Sequence, residues 1–500
     1  MLGIAAPPSL AQTITPVPTP RPVRERPPAV TAVQPPAMRD GRPTLPLSLA
    51  DAVFIGLRKN TTIRSAYIDR IAQLFDLKVA EDIFTPKLRV DAQVLRQSAA
   101  GETTDSVIVT PSVTALTPIG TQFNFMWDSG ATRSGELRTR ADVLTASITQ
   151  PLLRGAGYEV NMASVKAARL SETNNRLALR ATVAQTITDV ISAYRTLTTS
   201  IESLKLAEDS VLRAQALIDV NKTLIEAGRM ADVEIVQAEA DLENQRLSVL
   251  QGQGQVDAAR LALATLLDID LTTNIVLRDS LTVKRTIVTV TDALNIALRA
   301  RPDYVTRINN IELARLGVVV AENQRLWDLS IVGTSVLSRN TQVTTDVPAL
   351  TTKTTDLALG MRLGIPLNDL APQQGYIRAT TSLKSAELQL DIAKRAVEQQ
   401  IRQSVTSLDL QWRQLEAARR VVTLAASAVD IEKQKLSAGR SSNFQVQSLE
   451  ASFRSARLQS LSAEINYLNS LTLFDLQLGT TLDTWKVTLR DTEANVGGVR

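Results

Sequence analysis

Two short clusters hold the residues most able to act on something outside the chain. Ala227-Gly228-Arg229 is followed by Asp232 and Glu234, and Ala438-Gly439-Arg440 is followed by Gln445. Glycine takes the left-handed backbone that ends a helix, and a neighbouring arginine complements the negative helix C-terminus. Each cluster therefore reads first as a helix stop. A partner contact at such a turn would not compete with that role. Asp232 and Glu234 sit where a new helix would begin and read first as carboxylates that suit the helix dipole, ahead of a role in ringing an aperture. The matching stretch after the second turn has no acid before Glu450, so Gln445 takes that place. Trp127, Trp327 and Trp485 could anchor at a membrane interface or simply pack. Trp327, which opens a strand-like region, is the best placed of the three.

The rest of the composition excludes more than it offers. The chain has no Cys and no His. A disulfide framework, thiolate or imidazole metal sites, and Cys–His or Ser–His catalysis are therefore closed to it. There is no G-x-x-x-x-G-K-[ST] segment, so any energy must come from a partner. Paired carboxylates such as Asp430 and Glu432 read as solvated helix faces. The net charge of +4 is spread among both signs and argues against nucleic acid. The expectation is a protein that is no enzyme and needs no cofactor.

The elements that carry the two clusters come in duplicate. Residues 51–88 align without gaps on 292–329, sharing Asp51/Asp292, Ala52/Ala293, Arg58/Arg299 and Val79-Ala80-Glu81/Val320-Ala321-Glu322. A second block, 227–250, aligns on 438–461 and keeps Ala-Gly-Arg and Glu239/Glu450. Each copy reads as a broken medium helix, a strand pair, a very long helix, and a returning helix. Residues 158–226 and 373–437 lack proline, and a helix of ~65 residues would be ~100 Å long. Their apolar positions step by 4 and 3: Val183, Ile187, Val190, Tyr194 and Leu197, then Ile401, Val405, Leu408, Trp412 and Leu415. That period predicts left-handed supercoiling against partner helices.

The strand-like runs are Lys87–Gln97 with 146–152, and Leu329–Arg339 with 360–367. The first copy holds extra residues between its strands, where Phe123, Phe125 and Trp127 alternate; their strand count stays open. No apolar run is long enough for a transmembrane helix. The expected divisions are 1–46, a signal remnant and Pro-rich linker holding twelve of the twenty prolines; 47–270, the first copy; 271–288, a connector; 289–482, the second copy; and 483–500, a tail. Four principal strands cannot close in lipid. Three chains would give twelve, above a ring of twelve helical columns.

Four stretches resemble the TolC-like outer-membrane efflux proteins: Leu49–Asn60, Asp292–Asp303 (DALNIALRARPD), Thr149–Gly157 (TQPLLRGAG) and Ser441–Ala451. The resemblance spans about Leu47 to Leu482. It implies a mainly α fold with membrane β: a long α-helical coiled-coil barrel joined to a trimeric, twelve-stranded outer-membrane β-barrel. It implies the exit duct of a tripartite efflux or type I secretion system. Its partners would be two further copies of the chain, a periplasmic adaptor at the tip turns, an inner-membrane transporter and outer-membrane lipid. The absence of an acid after the second tip turn puts cation-blocked gating in doubt. The competing expectations are a periplasmic adaptor, which should carry a single hairpin flanked by small β modules, and a coiled-coil scaffold.

Overall fold

The computed structural model describes residues 37–39, 42–99, 101–228, 231–279, 282–344, 347–438 and 440–489. The first copy runs α1 (Leu49–Lys59), α2 (Thr61–Glu81), β3 (Lys87–Ala99), β4 (Glu102–Leu116), β5 (Gln122–Ser134), β6 (Leu137–Pro151), α3 (Tyr158–Glu226) and α4 (Val233–Leu267). The second runs α5 (Val290–Ala300), α6 (Pro302–Asn323), β8 (Asp328–Thr344), β9 (Val347–Gly364), α7 (Ala371–Ser437) and α8 (Asn443–Leu478). Strands β1 (Ala37–Arg39), β2 (Arg42–Leu47) and β7 (Asn274–Leu277) form a small sheet in the order β1-β2-β7, and α9 (Thr481–Thr484) is a closing turn. The end of the expected linker is thus ordered as strand, because residues 44–47 pair in parallel with the connector at Asn274–Leu277. Residues 1–36, with the expected signal remnant, and residues 490–500 lie outside the described residues.

Local chemistry sets the helix boundaries. Ser48 Oγ accepts the Asp51 N–H at 3.1 Å while the Asp51 carboxylate accepts the Ser48 N–H at 3.2 Å, a reciprocal cap that starts α1. At α5 Thr289 Oγ1 likewise accepts the Asp292 N–H at 3.2 Å, while the Asp292 carboxylate accepts the Thr289 hydroxyl at 2.6 Å. Asn60 breaks the rod and restarts it, its Oδ1 accepting from Thr62 and Ile63. Pro302 does the same job at the first turn of α6, where its missing N–H costs nothing.

The long helix α3 is 69 residues, about 100 Å, and α7 is 67. The 4–3 seam is buried as its spacing requires: Val183, Ile187, Val190, Tyr194 and Leu197 face Leu263 and Leu267 of α4 with Ala52 and Val53 of α1. Ile401 and Leu408 repeat this against Tyr467 and Phe474 of α8 and Ala293 and Ala297 of α5. Small residues on α1 and α5 admit the long helices: a Cβ on Gly56 would already reach 3.0 Å from Val190. Towards the sheet the columns run α2-α3-α6-α7; towards the tip they run α4-α3-α8-α7.

The large sheet is a correction to four strands per chain. It has six, in the order β3-β4-β5-β6-β8-β9, every neighbour antiparallel. The extra pair is the hairpin β4–β5. One face carries Leu88, Val90 and Val94 on β3, Val107, Val109 and Val113 on β4, and Phe123, Phe125 and Trp127 on β5. It continues with Leu144 and Ile148 on β6, Ile331 and Leu337 on β8, and Leu357, Leu359, Met361 and Leu363 on β9. The opposite face carries Ser112, Asn124, Ser147, Thr334 and Thr354. Apolar-out and polar-in alternation is the pattern of a barrel wall in lipid. The two edges, β3 and β9, are exposed along their whole length.

Candidate functional site

The far end of the rod, opposite the sheet, holds both turns. At the first, Gly228 has φ +67°, and its N–H bonds the Ile225 carbonyl at 2.9 Å. That left-handed backbone stops α3 as expected from the sequence. Arg229 and Gly439 lie outside the described residues. Asp232 stands exposed at the start of α4 without a side-chain cap bond, and Glu234 is half-buried in the first turn.

The second turn is held more tightly. The Arg440 N–H bonds the Lys435 carbonyl at 2.8 Å, and Ser442 Oγ accepts the Gln445 N–H at 3.3 Å. Ser441 Oγ donates to Glu432 at 2.6 Å and Lys435 Nζ reaches the same carboxylate at 3.0 Å. Glu432 is therefore not the solvated acid its helix pattern suggested; it is 8% exposed, because the turn folds back over it. The Ser441 hydroxyl, then Lys435, holds its carboxyl below the usual range. Arg440 and Gln445 themselves point to solvent.

Behind the turns lies a cluster that sequence reading missed. Glu450 of α8 binds Arg213 of α3 at 3.2 Å and Lys433 of α7 at 2.6 Å. Arg454 of α8 donates to Gln245 of α4, whose amide donates to Asp241 at 2.9 Å. The Arg213–Glu450 and Arg454–Gln245 bonds cross between the two hairpins and border a cavity of about 270 Å³, with Leu217, Val220, Leu436 and Val446 as its apolar lining. The signal available was the repeated Glu239/Glu450; nothing local in the sequence pointed to Arg213.

Further up, Arg195 of α3 donates to Asn469 at 3.1 Å and Thr472 at 2.8 Å of α8. Neither partner is a carboxylate, and burial pushes its pKa down to about 10. Trp327 stands 53% exposed where α6 hands over to β8. Its carbonyl accepts the Arg154 N–H at 3.2 Å, and Arg154 pairs with Asp328 at 3.0 Å. The TQPLLRGAG stretch is thus the junction of sheet and rod. Gly155 N–H bonds Asn323 Oδ1 at 2.7 Å, and Asn161 Nδ2 donates back to the Gly155 and Gly157 carbonyls. Among the described residues no group of His, Cys, Asp or Glu could hold a metal ion, and no helix is long and apolar enough to cross a membrane.

Residues 57–268, most of the first copy, match the family model described as outer membrane efflux protein. The fold matches solved structures. The CmeC outer membrane channel of Campylobacter jejuni aligns at TM-score 0.64 and 15% identity, over 87% of this chain and 86% of that one. VceC of Vibrio cholerae aligns at 0.63 and 15%, over 86% and 96%. The MtrE channel of Neisseria gonorrhoeae, in its open state, aligns at 0.62 and 16%, over 86% and 88%. Over residues 57–268 the chain is similar to the outer membrane efflux protein family, and its fold is that of the outer-membrane channels. A search of curated proteins finds no match to the sequence. The family match over the first copy and the channel fold support an outer-membrane efflux channel that extends into the periplasm.

Proposed function

We propose that three copies close into one exit duct of a tripartite efflux or type I secretion system, passively conducting cargo delivered by an inner-membrane transporter. The observation that carries it is the alignment of the protomer's edges. The open strand edges β3 and β9 continue directly into the outer helical columns α2 and α7. Those columns carry unpartnered apolar residues, Ile68, Ile71, Phe75 and Val79 on α2 and Ile377, Leu388 and Ile392 on α7. Strand β3 runs antiparallel to β9, so the edge of one copy can continue the ladder of the next. Unpaired edges of 13 and 18 residues have no stable place in lipid unless they are paired.

In this reading the tip turns, at Gly228-Arg229 and Gly439-Arg440, meet a periplasmic adaptor. Asp232, Glu234 and Gln445 line the aperture, and the Arg213–Glu450–Lys433 cluster holds the hairpins together when it is shut. Opening would separate the hairpins into the neighbouring cavity by a change of superhelix packing. Trp327 anchors at the periplasmic interface of the bilayer. A lone adaptor or scaffold would not need an apolar belt across six strands. The mass of the purified protein in detergent tests the assembly: three protomers of 54.3 kDa are expected, and a single protomer mass at working concentration contradicts it.

A further inference from the structure

We infer that the β4–β5 hairpin is part of the membrane wall, so that the closed barrel has six staves per chain and eighteen for three copies. Only the total rests on the trimeric reading above; the place of the hairpin in the wall does not.

The hairpin sits inside the sheet. β4 pairs with β3 along the full ladder from Lys87↔Thr114 to Ala99↔Glu102, and β5 pairs with β6 from Gln122↔Thr149 to Ser134↔Leu137. Its faces follow those of its neighbours. Val107, Val109 and Val113 with Phe123, Phe125 and Trp127 lie on the apolar side, and Ser112 pairs with Met126 and Thr114 with Asn124 on the other. On the apolar side one end of the belt is closed by Arg96, Asp105, Arg133, Arg140 and Arg339, so the hairpin shares both the belt and its charged rim.

The belt also shows tilt. It centres on Gly360 in β9 and on Asp91 in β3. Directly across the ladder, Asp91 faces Thr110, which bonds Asp128 at 2.6 Å; Asp128 faces Val143, Val143 faces Ser338, and Ser338 faces Thr354. The belt therefore climbs from residue 354 to residue 360 of β9, roughly 20 Å, while five strand spacings cover roughly 24 Å. That is a strand tilt of about 40°, the value of membrane barrels. The climb is shared by β4 and β5, as it must be if they stand in the same bilayer.

Girth gives an independent argument. Six strands at about 4.8 Å spacing and about 40° tilt cover about 38 Å of circumference. The four helical columns below, at roughly 8–10 Å each, cover about 32–40 Å. Four strands would cover only about 25 Å, and the tube would have to taper into its barrel. The hairpin lets the wall match the rod, and it widens the membrane pore by about half relative to twelve strands. The lumen would be faced with Thr, Ser and Asn at Ser112, Asn124, Ser147 and Thr334, a surface for hydrated cargo wider than a twelve-stranded exit would pass.

The absence of Cys allows a clean test. Single-cysteine variants V109C and F125C (apolar side) and S112C and N124C (polar side) of the full chain are labelled in liposomes, with L357C and T354C of β9 as references. The expected result is that 109 and 125 behave like 357, quenched by brominated acyl chains and shielded from an impermeant maleimide. Positions 112 and 124 should react like 354. Equal reaction of both parities in the hairpin, with β9 still alternating, overturns the proposal, since a surface loop or a plug would be wet on both sides. A detergent mass of three protomers then supports eighteen strands; another mass overturns that total and the trimer, while the labelling alone decides the hairpin.

Discussion

A Cβ built on Gly120 would stand 2.2 Å from the carbonyl oxygen of Gly155. Gly120 lies in the turn between β4 and β5, and Gly155 in the junction between β6 and α3. Its φ of +96° is itself a conformation that other residues rarely adopt. The turn is also tied by Gly157 N–H to the Ile119 carbonyl at 3.2 Å and by Thr121 Oγ1 to Gln150 at 2.5 Å. The additional hairpin is therefore fastened to the point where barrel becomes tube.

From this contact, Gly120→Val should weaken the junction by more than the roughly 1–3 kcal/mol of backbone strain alone, since the carbonyl must also move. The measurement is the temperature at which the purified oligomer dissociates on gels. A large drop is expected for Gly120→Val and little change for Gly101→Val, whose Cβ would meet nothing within 4 Å although its φ is also positive. Equal behaviour of the two variants would refute the contact's importance.

Arg195 offers a stabilising change. Its cation is buried against an amide and a hydroxyl with no carboxylate among those partners. Asn469→Asp would place an opposite charge at about the 3.1 Å of the existing bond. A charge-assisted bond is roughly twice as strong as a neutral one. The thermal midpoint of the assembled protein should rise, and Arg195→Met in the same background should cancel the gain.

Glu450 bridges Arg213 of the first hairpin and Lys433 of its own hairpin. Glu450→Gln leaves Arg213 and Lys433 without their shared counter-charge, at a cost of about 1–2 kcal/mol for a site still partly reached by water. That corresponds to a five- to thirty-fold shift towards an open tip. Single-channel recordings should show a larger open fraction at unchanged oligomer mass. A closed fraction equal to that of the wild type would remove the cluster from the gating account.

Acid should loosen the second turn selectively. Glu432 is held below its ordinary value by Ser441 and then Lys435, so its contribution is present above about pH 4.3, the unfolded carboxylate value. It is lost as pH falls through the lower folded value. Hydrogen exchange in 440–445 should be flat from pH 8 to 5 after correction for intrinsic rates, then rise below about pH 4. In Glu432→Gln the exchange should already be raised at neutral pH and show no such step.

The rods were legible because one constraint governs them throughout. Uninterrupted proline-free stretches and the 4–3 steps from Val183 to Leu197 and from Ile401 to Leu415 can satisfy only a long supercoiled helix, and Asn60, Pro302 and Gly228 mark its breaks. The sheet was less so. Pro111 lies inside β4, where the β4–β5 ladder omits Thr110 and Pro111, and Ser and Thr around it resemble a loop. Only Phe123, Phe125 and Trp127 betrayed the alternation. The tip cluster was invisible for a different reason: Arg213 and Glu450 lie in different repeat copies, and helix periodicity sets which face a residue takes but not which column that face will meet.

The central claim is that this chain forms a continuous water-filled duct through the outer membrane. Single-channel recording of the purified, untruncated assembly in planar bilayers tests it most directly. Stable stepwise conductance is expected, increased by Glu450→Gln. Protein that inserts into the bilayer and never conducts, in either form, would contradict it.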